Sequence, residues 1–473
     1  MANPQQVKMI REGIDVWCKY INDNPGITID LRKSDLNGIN FSNAYLLKID
    51  LSESKIRESN LESANLKSAS LSSSDLTGTN LSKANLSYSR LIFTNLSNAD
   101  LSNANLRSTF ATNAILNKAN LSRANLSNAC LNKSDLIETI MKEADLREAE
   151  LENANLMGSN LTDAYLRAAK LKNVNLINAI IINADVSEAD LNDANLSNAN
   201  LSNANFCKAD LNSANLSNAN LSNADFSGAD LRIANLSNAN LSNADFSGAD
   251  LRYTDLKGAE LNGTNLKNAK LAGIQNLHFK KTNLNLRKAN FANANLSRFD
   301  LSNLDFFQSN FNQAKLSEAN LSGSNIEEAD FSWANLNCVD IRDANFKNAI
   351  FYHTDLSKAK IKICGNILSE KSFEYCILKG INLSGADLKK VSFYEADLSY
   401  ANLSNTDLRE SDLRGANLRK ANLKNADLRN TTLNDETDLR GVNLRGANLT
   451  QVNLKNPSVK LKFKILIKSF LSS

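Results

Sequence analysis

Few residues in this chain have the types and spacing that suit catalysis or metal binding. The two histidines, His278 and His353, lie far apart in the sequence, and neither has the local context of a catalytic triad. The six cysteines are also widely spaced, and no two form a Cys-x-x-Cys pair, which disfavours zinc and redox chemistry. Many aspartates directly precede a leucine at a fixed period, so neighbouring carboxylates arise from repetition and carry no acid–base signal. We therefore expect no enzyme activity, no cofactor and no metal.

The composition indicates one continuous structural unit with balanced charge. The net charge is +3 over 473 residues, which disfavours a general role in coating nucleic acid. Only Pro4, Pro25 and Pro457 are prolines, all near the ends, as an uninterrupted β-ladder requires. The sequence shows no secretion signal and no apolar run long enough to span a membrane. Together with the unpaired cysteines, these features predict a cytoplasmic protein with free thiols.

A five-residue period dominates the sequence. From Leu31 to Leu271 nearly every fifth residue is a large apolar one, with Ala111 the clearest exception. Each such centre follows a small residue and then Asn or Asp, and two polar residues come after it. Neither an α-helix nor a flat strand would place residues five apart on one side. The chain must therefore turn within each quintet, so that the centre and the residue two before it both point inward.

The phenylalanines indicate how many quintets make one coil. Many of them recur at twenty-residue intervals among the centres, which predicts four sides per coil. Rings in successive coils would then stack on each other, at a coil rise of about 4.8 Å. The predicted core columns contain Phe206, Phe226, Phe246, Phe291, Phe311, Phe331 and Phe351, with a further column of Phe306, Ile326 and Phe346.

The tandem pattern of Ala or Ser, then Asn or Asp, then Leu or Phe, then two further residues, as in "ANLSN" and "ADLRG", resembles the pentapeptide repeat proteins over about 420 residues. The resemblance implies an all-β fold, a right-handed quadrilateral β-helix without enzyme activity. The stretch before the first coil, with Trp17 and the Asn24-Pro25 step, is similar to the leader of many bacterial members and implies a bacterial source.

Interruptions divide the array. The segment after Leu271 keeps the five-residue phase but not the pattern, whereas Ile361 and Leu383 are 22 residues apart, which shifts the phase by two. A single added residue precedes Leu439. The predicted segments are an N-terminal helix and leader (1–25), a first array (26–271), a loop (272–285), a second array (286–361), a second loop (362–382), a third array (383–456) and a basic C-terminal segment (457–473).

Both ends carry candidate caps for the exposed edges of the solenoid. Residues 4–22 are predicted to form one amphipathic helix, with Asn3 as its N-cap and Pro4 at its first position. Residues 457–473 mix apolar residues with lysines. We interpret this segment as a short helical cap or a final strand, with a membrane-surface helix or a homodimer contact as alternatives.

Two surface features could bind a partner. Trp333 and His353 occupy the same outer position twenty residues apart, with Tyr352 beside them, and exposed aromatic residues often anchor partners. The second feature is a basic belt around one coil, in a C-terminal stretch (401–473) whose net charge is +6. Its residues are Arg409, Arg414, Arg419, Lys424 and Arg429. By contrast, residues 141–195 carry ten acidic and five basic residues.

The sequence therefore predicts a non-catalytic scaffold that binds a protein partner. One alternative is implied by the resemblance: some family members protect DNA gyrase by imitating DNA with an acidic rod. This chain departs from that pattern because it is slightly basic overall and longer. Only residues 141–195 have the net negative charge that such imitation requires. The other alternative is attachment to a membrane surface or nucleic acid through the basic C-terminal end, although the overall charge disfavours nucleic acid.

Overall fold

Regular helices and strands form only a small part of the computed structural model, and the rest is a five-residue repeat. The structure describes residues 3–27, 29–274, 284–361, 368 and 371–454. The chain divides into two compact units, Met1–Asn265 and Leu266–Ser473. The named elements are helices α1 (Pro4–Glu12) and α2 (Ile14–Asp23) and strands β1 (Thr432–Leu433) and β2 (Asn453–Leu454). No helix in the described ranges is long and apolar enough to cross a membrane.

Each quintet turns at its two polar residues. In the first described quintet the Ser34 N–H donates to the Leu31 carbonyl oxygen at 3.3 Å, which closes a tight turn. Lys33, the second outer residue, has a φ of 60°, in the left-handed region. Glycine adopts this region freely and asparagine tolerates it better than most residues, which explains why both recur at this position.

Four quintets make one coil. Single parallel bridges join residues twenty apart, as between Asp30 and Asp50 and between Asp50 and Ser70. The centre contributes as well, since the Leu31 N–H donates to the Asp50 carbonyl oxygen at 2.8 Å. This register gives a four-sided β-helix in which every side is a narrow parallel sheet. The four-sided coil is the one predicted from the phenylalanine spacing.

The inward centres form the core, and the phenylalanine rings stack in columns. In the first unit Phe226 lies 4.8 Å from Phe206 and 4.9 Å from Phe246, between ring centroids. In the second unit Phe311 lies 5.0 Å from Phe291 and 4.7 Å from Phe331, with nearly parallel planes. All six rings are buried. The rings therefore fix the lateral register of successive coils as well as burying apolar area.

The polar residue before each centre forms a second set of columns on the outside. The Asn80 side-chain oxygen accepts from the Ser82 N–H at 3.0 Å, and its amide donates to Asn60 one coil away at 3.2 Å. Inside, a Ser or Thr at the small position donates to a carbonyl of the preceding coil, as Ser54 does to Leu31 at 2.8 Å. Asn, Asp, Ser and Thr thus satisfy backbone groups at the turns and bridges.

The N-terminal segment differs from the single helix predicted over 4–22. The chain forms two helices because Gly13, at φ 123° and ψ 165°, adopts a backbone conformation that favours glycine. Asn3 is the N-cap of α1 and Pro4 lies in its first turn, as predicted. The first coil is joined to α1, since the Asn3 N–H donates to the Asp30 carbonyl at 3.0 Å and the Asp30 N–H donates to Gln6 Oε1 at 2.8 Å.

The two internal interruptions are shorter than predicted. Regular turns continue to residue 274 and resume at 284, and the bridge between Lys270 and Asn290 keeps the register across the first one. The second was predicted to span 362–382, but Phe373 and Leu378 are already buried centres of regular quintets. Leu368 is buried five residues before Phe373, so the two added residues lie between Ile361 and Leu368.

The second change of phase is a single-residue insertion in the last coils. Leu433 pairs with Leu454, 21 residues later, where β1 and β2 form a parallel pair. The wider turn is held by its own side chains, because Asn434 Oδ1 accepts from the Gly415 N–H at 2.7 Å. Thr437 donates to the Leu413 carbonyl at 2.9 Å. The predicted cap or tail, 457–473, lies outside the described residues.

Candidate interaction surface

The outer turn on one side of the second unit carries a row of aromatic residues. Phe331, Phe351, Phe373 and Phe393 are the centres of this side in four successive coils, and stacking of their rings continues from Phe351 to Phe373 and on to Phe393 at 5.7 Å each. Because each outer turn follows its centre directly, this inner column sets the spacing of the outer one. The outer residues, which we call the aromatic ladder, are Trp333, Tyr352, His353, Tyr375 and Tyr394.

The rings of the aromatic ladder contact one another continuously. His353 is stacked between Trp333, at 3.9 Å and 7°, and Tyr375, at 4.6 Å and 13°. Tyr352 packs edge-on against His353 at 4.4 Å. Tyr394 packs edge-on against Tyr375 at 5.6 Å. Each ring is thus held by its neighbours, so little side-chain entropy remains to be lost when a partner binds.

The aromatic ladder is open to solvent, and a nearby carboxylate affects the pKa of two of its tyrosines. Trp333 is 54 % exposed and Tyr352 is 42 % exposed. Desolvation raises the pKa of the Tyr375 hydroxyl, and the nearby Glu395 carboxylate raises it further. A hydrogen bond to Glu395 raises the pKa of Tyr394. Both hydroxyls therefore stay protonated at neutral pH. The Tyr394 hydroxyl already donates to Glu395, so Tyr375 is the tyrosine of this pair that can donate to a partner.

The sequence correctly predicted that Trp333, Tyr352 and His353 are neighbours, but Tyr375 and Tyr394 were not predicted to join them. The two added residues before Leu368 place Tyr375 22 residues after His353, outside the twenty-residue period. Phe373, also 22 residues after Phe351, was the available signal that the same side of the coil continues. The aromatic ladder is therefore longer than the sequence suggested.

A further exposed aromatic lies on the neighbouring side of the same coils. Tyr400 is 51 % exposed. The Lys379 ammonium lies 5.8 Å from its ring centroid and the Lys420 ammonium 5.5 Å from it. Such cation–π contacts are individually modest, but they hold two lysines over an aromatic face. This combination adds positive charge beside the aromatic ladder.

The basic belt is less basic than its sequence suggested. Arg409, Arg414 and Arg429 each donate to the aspartate two residues earlier, with Nε to Oδ1 distances of 2.8, 2.9 and 3.0 Å. Hydrogen bonds from the guanidinium groups lower the pKa of the carboxyls paired with Arg409 and Arg429. Arg419 and Lys424 instead follow asparagines, whose side chains accept from their backbone N–H groups. The predicted belt is therefore largely a set of internal ion pairs.

The remaining candidates for chemistry do not form a site in the described part of the chain. His353 is a member of the aromatic ladder, whereas His278 lies outside the described residues. Among the described residues, no group of three or more His, Cys, Asp or Glu could hold a metal ion. Cys376 is buried at a small position, where desolvation raises the pKa of its thiol to about 12 and makes it a poor nucleophile at neutral pH.

Comparison with known proteins gives the family of this repeat. The family model for pentapeptide repeats (8 copies) matches overlapping segments from residue 29 to 198 and then 285–323, 324–362, 368–399, 396–435 and 435–456. A second model, for a pentapeptide repeat region, matches residues 199–276. No curated protein matches the chain.

Several solved structures are similar to parts of the chain. HetL, a pentapeptide repeat protein involved in heterocyst differentiation regulation in the cyanobacterium Nostoc, is 34 % identical over 46 % of this chain and 88 % of its own, with a TM-score of 0.20. Rfr23 from the cyanobacterium Cyanothece is 35 % identical over 26 % of this chain and 62 % of its own (TM-score 0.09). The plasmid-mediated fluoroquinolone resistance protein QnrB1 is 18 % identical over 51 % and 86 % (TM-score 0.19). Since the family models match nearly the whole array, the chain belongs to the pentapeptide repeat family.

Proposed function

We propose that this protein is a non-catalytic scaffold and that the aromatic ladder binds a protein partner. The observation that carries the proposal is the unbroken contact of five solvent-facing rings across neighbouring coils. Tryptophan and tyrosine are the residue types most often found at the energetic centre of interfaces. A rigid solenoid supports this use, since its neighbouring coils hold the rings in a fixed arrangement.

The chemistry of the aromatic ladder favours a partner with a mixed apolar and polar surface. Stacking covers both faces of His353 and one face each of Trp333 and Tyr375, so a partner meets the remaining ring surfaces, the indole N–H and the Tyr375 hydroxyl. These groups donate hydrogen bonds while the ring edges exclude water. A partner that presents carbonyl or carboxylate oxygens beside apolar side chains fits these donors.

The proposal also includes the handedness of the solenoid and its cellular setting. We take the winding to be right-handed, which is supported by membership of the family. We take the setting to be the cytoplasm of a bacterium, which is supported by the free thiols of the five described cysteines and by the cyanobacterial source of two relatives. Attachment to a membrane or nucleic acid loses the support of the three belt arginines that form internal ion pairs, whereas the lysines of 457–473 lie outside the described residues.

The repeat itself supplies substitutions that should preserve the fold. Asn293 and Gln313 occupy the position of Trp333 and Tyr375 in earlier coils, so the test variant is Trp333→Gln with Tyr375→Asn. The matched control is Tyr253→Asn, which changes a tyrosine of 58 % exposure at the same kind of outer position in the first unit.

The experiment is affinity capture from the source cell, followed by affinity measurement with the purified partner. We expect the ladder variant to bind the partner at least about thirtyfold more weakly, as loss of hot-spot side chains typically does. The Tyr253→Asn protein should bind as the wild type does. Equal binding by all three proteins would reject the aromatic ladder as the interface.

A further inference from the structure

The first unit carries an aliphatic patch on two adjacent sides of its coils. The exposed fractions of Ile140, Met157 and Ile180 are 41, 37 and 36 %. Contiguous apolar side chains on a soluble surface mark interaction sites more often than isolated ones do. We define the aliphatic patch by six residues: Ile137, Ile140, Met157, Ile177, Ile180 and Ile182.

Backbone contacts show that these residues lie in neighbouring columns. Bridges join Ile140 to Asn160 and Asn160 to Ile180, so both isoleucines share a column with one coil between them. The Glu138 N–H donates to the Met157 carbonyl at 2.9 Å, which places Met157 one coil beyond Ile137. Ile177 follows in the next coil of that column, because its carbonyl accepts from Gly158 at 2.9 Å.

The fold does not require apolar residues at these positions. Asn120 and Asn200 occupy the column of Ile140 in other coils, and Ser197 occupies the column of Met157. The polar residues at such positions bond to backbone or to neighbouring amides, as Asn120 Oδ1 does by accepting from Ser122. A solenoid that folds with asparagine and serine here gains little by exposing isoleucine. The aliphatic patch is therefore explained better by binding than by folding.

The coils around the aliphatic patch are acidic, which restricts its partner. Residues 141–195 contain ten acidic and five basic residues. Ion pairs offset part of this charge, as between Glu143 and Arg123 at 2.9 Å and between Glu188 and Arg167 at 3.0 Å. These pairs leave an excess of acidic side chains in this stretch, so an attractive field for cations remains. A segment that is both apolar and basic fits this surface.

The chain itself contains such a segment. Residues 457–473 include four lysines and no acidic residue. Between the lysines lie the apolar residues Val459, Leu461, Phe463, Ile465, Leu466, Ile467, Phe470 and Leu471. We propose that the aliphatic patch binds residues 457–473 of a second copy of this chain. Each copy then offers one patch and one tail, so the contact links copies head to tail or closes into a symmetric pair.

The test titrates a fluorescent peptide of residues 457–473 with the full-length protein. The variant is Ile140→Asn with Met157→Ser and Ile180→Asn, each taken from the same column in other coils. We expect its affinity for the peptide to fall at least about tenfold, and the affinity of the wild type to fall with added salt. The control is Ile233→Ser, which removes an isoleucine of 61 % exposure outside the patch and should bind as the wild type does.

Oligomeric state provides the second measurement. Sedimentation of the full-length chain should show self-association that is lost in the patch variant, with the circular dichroism spectrum unchanged. Three outcomes overturn the proposal: no binding of the peptide, equal binding of a scrambled peptide, or a wild-type chain that stays monomeric. The ladder variant Trp333→Gln with Tyr375→Asn should still bind the peptide, so this proposal and the proposed function succeed or fail separately.

Discussion

The stacked phenylalanines make a quantitative prediction about stability. Phe311 is buried and has ring contacts with Phe291, Phe306 and Phe331 at centroid distances of 5.0, 5.2 and 4.7 Å. Leucine is the commonest centre residue, so Phe311→Leu keeps an apolar side chain of suitable shape in the core. What it removes is three aromatic pairs, each worth about 0.5–1.5 kcal/mol beyond the buried area. We expect a local loss of about 1.5–4.5 kcal/mol.

The matched control is Phe41→Leu. Phe41 is equally buried, but the centre of the next coil in its column is Leu61, so this change costs little ring stacking. Because a solenoid opens locally, the assay is native-state hydrogen exchange, followed by mass spectrometry across residues 291–351. A Phe311→Leu effect no larger than that of Phe41→Leu would refute ring stacking as the source of the stability.

A double-mutant cycle separates stacking from simple loss of volume. The variants Phe311→Leu and Phe331→Leu remove rings that are in contact, so their effects should differ from additivity by about 0.5–1.5 kcal/mol. Phe226 lies in the other unit and has its own column, so Phe226→Leu should add to Phe311→Leu without coupling. Additive behaviour of the contacting pair would show that the rings act only through their buried area.

Three further predictions concern single contacts. Gln6→Ala should leave the part-buried Asp30 N–H without its acceptor and speed exchange of that amide, at a local cost of about 1 kcal/mol. The Arg32 guanidinium lowers the pKa of Asp30 to about 2 from 3.8, so this pair stabilises the fold above that ordinary value and loses its effect as pH falls toward 2. The acid-induced drop in thermal midpoint should therefore be smaller in Arg32→Ser, and an unchanged drop would reject the linkage. The Cys376 thiol, whose pKa burial raises to about 12, should resist alkylation at mildly basic pH until the protein is unfolded, as peptide mass spectrometry can show.

The sequence predicted the coil well because every quintet obeys the same local constraints. Turn residues, inward centres and twenty-residue phenylalanine intervals are each set by neighbours close in sequence or one coil away. Prediction from a fixed period was wrong where the chain inserts residues between quintets. Because two residues are inserted before Leu368, Phe373 and Tyr375 do not fall at the twenty-residue spacing that predicted the other columns. The coil itself continues past them. The break at Gly13 was also missed, since helical periodicity alone does not report a glycine in an extended, positive-φ conformation.

Function is harder to predict from a repeat, because most surface residues are explained by the fold. Arg409 illustrates this: it looked like part of a binding surface, yet it pairs with the aspartate two residues before it, and the Asp-Leu-Arg triplet recurs as a structural unit. Trp333 and Ile140 have no such explanation, since glutamine and asparagine serve the fold equally well at their positions in other coils. The residues that merit mutagenesis are therefore those that depart from their own column without a local partner that accounts for them. Under this criterion the aromatic ladder and the aliphatic patch rank above every charged cluster in the described coils.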